Sequence, residues 1–229
     1  GNNGLRSVHM NQHLTHLCRV ARVAGRTEEA YRVMKEYLSD FTRFMNAPET
    51  FNQFGCDYDV QQKCSWQTFS ATAAYGAIVT ALAGINWHGG GLYYMPGNDN
   101  RNIRFRNFGF GGHIFDFEIF GQGAFTEKIT INGKILEGSL QLPGKLPSEN
   151  IRCVIHRSRR MFTRPMLLNA VDLEVAVTES SEKKLSFQTT NRARSVVKIF
   201  SPSQPEIKAD MKKIPFEWDA ANHIVWLDR

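Results

Sequence analysis

Residues 65–97, SWQTFSATAAYGAIVTALAGINWHGGGLYYMPG, hold no Asp, Glu, Lys or Arg and change their hydrophobic period part-way. About 18 uncharged residues in a row approach the length of a membrane span. Thr68, Ser70, Thr72, Tyr75 and Thr80 dilute this run, and its neighbours carry amphipathic patterns. A helix over 66–84 made of Ala, Gly, Ser and Thr on every side is one that other helices approach closely all round. The stretch therefore predicts a central, buried helix with Ser65 as its cap, and no membrane span. After Gly89-Gly90-Gly91 the period falls from 3.6 to 2, so helices precede strands along the chain.

Upstream, residues 7–24 place Val8, Leu14, Leu17, Val20, Ala21 and Ala24 at helical spacing, and Gly25 provides a stop. Thr27 is the expected cap of a second helix with Glu28 and Glu29 in its first turn, ending before Pro48. A polar loop is expected over 46–64. Downstream, alternation predicts strands at 101–110, 113–120, 125–131, 151–157, 171–178, 184–189, 194–200, 206–210, 213–218 and 223–227. Asn132-Gly133 between KITI and KIL is a hairpin signal. EIKADMKKIPFEW near the end loosely echoes EKITINGKILEGS as a second strand–turn–strand unit. The expected fold class is α+β: a helical segment over 1–97, then antiparallel β-sandwich layers over 98–229.

The 229 residues suffice for a real core, and the net charge of +6 permits an acidic partner without demanding one. Much of the excess lies in Arg101, Arg104 and Arg106, and in Arg152, Arg157, Arg159, Arg160 and Arg164. Phe162 is the one aromatic near the second group, so nucleic acid is not the expected partner. Cys18 and Cys153 fall in helical and strand patterns as buried thiols do, whereas Cys56 and Cys64 flank a short loop and leave pairing open. No cysteine spacing fits zinc. His9, His13 and His16 have helical spacing but no evident third ligand, so neither metal nor cofactor is expected. The chain opens GNNGLRSV with no visible signal peptide, and it is expected to be a piece of something longer.

The order of acidic loop, buried helix, Gly-rich turn and β-region resembles the C-terminal part of the bacterial six-hairpin glycosidases, whose twelve helices form an α/α toroid. The residues carrying the resemblance are Gly84-Ile85, NWHGG, Gly91-Leu92 and Pro96, then FDFEIFGQG over 115–123 and ITINGK. The resemblance implies that the small-residue helix belongs to the inner ring of a toroid and that the strands form its trailing β-sandwich. It also implies glycoside hydrolysis with two carboxyl groups, here of the inverting kind. In glucoamylase-like members the general base is a Glu two residues before an aromatic, on the loop before the final inner helix. Glu49-Thr50-Phe51 matches, with Trp66 at the helix start, which makes Glu49 the candidate base.

A rival arrangement polarises water through Asn52 supported by Asp57 or Asp59, and Glu49 can also be a solvated loop residue. Tyr58, Trp66 and Gln67 are candidates for a sugar subsite, because aromatic faces pack on sugar C–H faces and amides bond hydroxyls; Trp66 can equally plug the core. Trp87 and His88 are expected to be structural. The general acid of such enzymes lies far upstream, so the isolated chain is expected to turn over no glycoside without the upstream catalytic part of its parent. The expected partner is carbohydrate, and a periplasmic or secreted location follows from that substrate class alone. A non-catalytic carbohydrate-binding or structural module, with Trp218 and Trp226 as its platform, is the alternative.

Overall fold

A computed structural model describes residues 8–10, 14–44, 50–52, 75–88, 91–98, 100–190 and 195–228. The chain forms two compact units, Gly1–Gly84 and Ile85–Arg229. Among the described residues no helix is long and apolar enough to cross a membrane.

In the first unit, β1 (Val8–Met10) pairs antiparallel with β2 (Thr50–Asn52). The helix expected over 7–24 is therefore shorter: α1 spans Leu14–Val23, because the residues around Val8 bond to a strand that the polar loop supplies. α1 ends at Gly25, which adopts φ 73° while the N–H of Arg26 returns to the carbonyl of Ala21 at 2.8 Å. α2 spans Thr27–Phe44. Thr27 is not its side-chain cap: it already lies inside the helix, its buried hydroxyl has no hydrogen-bond partner among the described residues, and the first helical bond goes to the carbonyl of Arg26. Arg26 instead pairs through its guanidinium with Glu29.

The described part of the small-residue helix begins at Tyr75 and becomes π-helical over Ile78–Ala83. Ala77 and Ala81 pack with Cys18, Ala30 and Met34 of α1 and α2, so small side chains do permit close approach here. The buried Arg22 donates from Nη1 to the carbonyl of Ala81 at 2.9 Å, satisfying a group the helix end cannot. Gly84 closes the turn in the left-handed region at φ 68°.

The second unit is β throughout. β3 (Ile85–His88) starts directly after Gly84 and pairs with β4 (Gly91–Tyr94), so the period changes before the three glycines. A five-stranded sheet follows, built from β5 (Ile103–Phe110), β6 (His113–Gly121), β7 (Phe125–Ile131), β8 (Lys134–Leu136) and β9 (Asn150–Ser158) in the order β5-β6-β9-β7-β8. Asn132 (φ 49°) and Gly133 (φ 82°) turn β7 into β8 as their sequence predicts. The β6–β9 pair is parallel, a departure from the antiparallel expectation. β9 slots between β6 and β7 because its alternation buries Ile151, Cys153 and Ile155 beside Phe115, Phe117 and Ile119 of β6. Phe115 and Phe117 stack at 5.4 Å, and each such buried side chain contributes about 1.5–3 kcal/mol of transfer free energy.

A second sheet has the order β10-β13-β17-β16, from β10 (Met166–Ala170), β13 (Val196–Phe200), β16 (Glu217–Asp219) and β17 (Ile224–Asp228). Two hairpins flank it: β11 (Val175–Ser180) with β12 (Leu185–Thr189), and β14 (Lys208–Ala209) with β15 (Lys212–Lys213). The strand expected over 213–218 is split into β15 and β16 around Pro215, which cannot donate to a ladder. β10 has no counterpart among the predicted strands, since MLLNA is too short a run to alternate visibly.

The segment 138–142 straps the second sheet to β4. Leu142 N–H donates to Leu92 and Tyr94 N–H to Leu140 on one side, while Leu140 N–H donates to Leu167 and Leu167 N–H to Gly138 on the other, all at 2.8–2.9 Å. Ile85, Leu92, Tyr94 and Leu142 then face Phe117, Ile129, Cys153 and Ile155 of the five-stranded sheet. The unit is sandwich-like in this sense.

Candidate functional site

Glu49, Asp57, Tyr58, Asp59, Trp66 and Gln67 lie outside the described residues, as do Cys56 and Cys64. Asn52 is placed only through its main chain, at the end of β2 opposite Val8. His9 lies on β1 and not on α1, so it shares no helix face with His16; His13 lies outside the described residues. Among the described residues no three His, Cys, Asp or Glu gather as a metal site.

Among the described residues the β-unit has two small interior gaps. One lies between the β3–β4 hairpin and the five-stranded sheet, the other beneath Ile135, Leu136, Leu140 and Met166. Neither has room for more than about one water molecule, far less than a sugar ring. Cys153 lies in the first gap, fully buried, and burial pushes its thiol up to about 12; Cys18 is pushed up to about 11 for the same reason. Neither is a nucleophile at neutral pH.

Outside these gaps, charged side chains gather on the outer face of the five-stranded sheet. Alternation turns Arg104 and Arg106 of β5, Asp116, Glu118 and Phe120 of β6, and Arg152, Val154 and His156 of β9 outward. Glu118 sits between two strands of arginines. Its Oε2 accepts from Arg152 Nη2 at 3.0 Å, and its Oε1 faces Arg104 Nε at 3.9 Å. The Arg152 hydrogen bond holds this carboxyl below the usual range against a smaller opposing effect of burial, and the charges of Arg152, Arg104 and Arg106 lower it further. Both partner arginines remain about two-thirds exposed, at 64% and 67% of the side chain. Asp116 accepts the N–H of Asn107 at 3.0 Å, holding the bulge that follows Arg106; Asn107 takes φ 56° there. Phe120 lies 6.1 Å from the His156 ring, and Lys128 of β7 is the next residue across in register.

Both arginine groups stand out in the sequence. What the sequence did not disclose is that the parallel β6–β9 pair brings Arg104 of one group and Arg152 of the other together around one carboxylate, while Arg157 is buried, Arg159 bonds Gln122 and Arg164 pairs with Glu137. On the second sheet, Trp226 is 39% exposed with Lys198 Nζ 4.6 Å from the centre of its ring, whereas Trp218 is half-buried against the sheet core. Burial lowers the Lys198 ammonium from its ordinary value. No protein-family model matches this chain, and no curated protein is significantly similar to it.

Proposed function

We propose that this chain is the C-terminal portion of a bacterial glycoside hydrolase with an α/α toroid, cleaving oligo- or polysaccharides with inversion in the periplasm or outside the cell. Glu49 is its general base, Asn52, Tyr58, Trp66 and Gln67 lie toward the sugar, and the general acid belongs to the upstream part of the parent chain. The supporting observation is on α1: Leu17 and Val20, three residues apart on one side of the helix, are 59% and 66% exposed, while Cys18 is fully buried. A helix with apolar side chains on both its inner and outer surfaces suits one sector of a larger helical ring. Activity of the parent protein on a glycan panel tests this. Glu49→Gln should abolish turnover, and this 229-residue chain alone should have none. Full activity of the Glu49→Gln parent would remove the base assignment, and robust turnover by the chain alone would remove the portion reading.

The exposed Trp226 favours a second reading, a carbohydrate-binding module without catalysis. Oligosaccharide binding that Trp226→Ala abolishes, in a parent with no hydrolase activity, would establish that reading instead.

A further inference from the structure

We propose that the outer face of the β5-β6-β9 strands binds a carboxylated glycan, a run of uronic-acid sugars, through Arg104, Arg106 and Arg152. This rests on the glycan reading above and narrows it to a substrate class. Arg104 and Arg152 stand on strands separated only by β6, about 10 Å apart by sheet spacing, and Arg106 follows Arg104 along the same strand. The result is three guanidinium groups on one face, with Arg106 beside the bulge that Asp116 holds. Guanidinium forks match carboxylates bidentately, the Arg104 and Arg152 side chains are about two-thirds exposed, and Arg106 is exposed.

The structure supplies its own example of the ligand chemistry. The Glu118 carboxylate is held between Arg152 and Arg104, so the spacing of the array admits a carboxylate. Glu118 also limits the face: it is a tethered competitor that a ligand carboxylate must share donors with. Apolar ground lies beside the charges, in Val154, Phe120 and the 41% exposed Ile114, and it suits the C–H faces of sugars. Nucleic acid fits less well. The aromatic rings at outward positions, Phe120 and His156, are both half-buried and tilted 46° against each other, a poor platform for bases to stack on.

Isothermal titration of the 229-residue chain at low salt tests the proposal. The probes are hexasaccharides of galacturonate, mannuronate and hyaluronan, a methyl-esterified galacturonate hexamer, and an RNA oligonucleotide of matched charge. At least one acidic glycan should bind, and binding should weaken as salt rises. If galacturonate is the one bound, its ester should not bind. Arg104→Ala with Arg106→Ala, and separately Arg152→Ala, should weaken binding at least about tenfold, the loss expected from one charged contact. Glu118→Gln should tighten it several-fold, a gain that a misfolded variant cannot produce. Failure of all three acidic glycans, indifference to the arginines, equal binding of acid and ester, or tighter retention of RNA would overturn the proposal. The two readings fail separately. Arginine-dependent glycan binding in a parent with no hydrolase activity removes the function proposed above and leaves this one. Hydrolysis of neutral glycans alone, with no acidic binding, does the reverse.

Discussion

Gln141 is a side chain whose loss should cost the β-unit a large share of its stability. It is 2% exposed, its Nε2 donates to the carbonyl of Leu173 at 2.7 Å, and its Oε1 accepts the N–H of Ala170 at 2.7 Å. Leu173 and Ala170 are themselves buried. Gln141→Leu keeps the approximate volume and removes both bonds. It leaves two buried main-chain groups unpaired at about 1–3 kcal/mol each, a total of about 2–6 kcal/mol. Domains are stable by about 5–15 kcal/mol, so the loss is a large share. Urea unfolding followed by tryptophan fluorescence reports it, because Trp218 and Trp226 lie in the sheet that the strap holds.

Gln141→Glu separates the two bonds. Its carboxylate still accepts from Ala170 but has no proton to give Leu173, and burial raises its pKa in the folded state. Stability is then lost as pH rises above the ordinary glutamate value of about 4.3 and recovers as pH falls. A Gln141→Leu variant within about 0.5 kcal/mol of the parent, at unchanged denaturant slope, would refute the accounting.

Gly123 stands at φ 108°, where an added Cβ would lie 2.4 Å from the carbonyl oxygen of Ser158; Gly123→Ala should lower stability by at least about 1–3 kcal/mol in the same urea assay. Glu206 accepts from Lys208 and Lys213 at 2.7 Å each, and those bonds lower its carboxyl to about 2. Its contribution is present above the ordinary glutamate pKa and is lost as pH falls from about 4.5 toward 2; an NMR titration should place the midpoint near 2, and Glu206→Gln should flatten stability across that window. Asp210 and Met211 turn β14 into β15 at φ 47° and 64°, and Met211 is 89% exposed. Met211→Gly should relieve left-handed strain with no packing lost and raise stability by about 0.5–1 kcal/mol net of glycine's entropy, read as a higher melting temperature.

Local chemistry was legible wherever residues adjacent in sequence decide the outcome. Asn132-Gly133 announced its hairpin, Gly25 its helix stop, and the echo between EKITINGK and EIKADMKK corresponds to two hairpins that turn on paired left-handed residues. Long-range pairings were not. Nothing near Val8 announces its pairing with Asn52, and nothing near Arg152 announces Arg104, because both depend on which distant strand pairs with which. Thr27 lies a single residue inside the helix, enough to move its hydroxyl from cap to interior. The candidate base and sugar-facing residues were named from motif spacing, and of these only the main chain of Asn52 is described.

The parallel pairing of β6 with β9 has a kinetic consequence. β5–β6 and β7–β8 are each closed by a short turn, whereas β9 reaches β6 only after residues 122–149 have folded back. Loop-closure entropy delays contacts of that separation, so the two hairpins form early and β9 enters between them late. The arginines of β5 and β9 face one another only after that last insertion. Capture of an acidic ligand on this face would therefore count molecules that have finished folding, and in a refolding mixture it should lag behind the growth of β-structure.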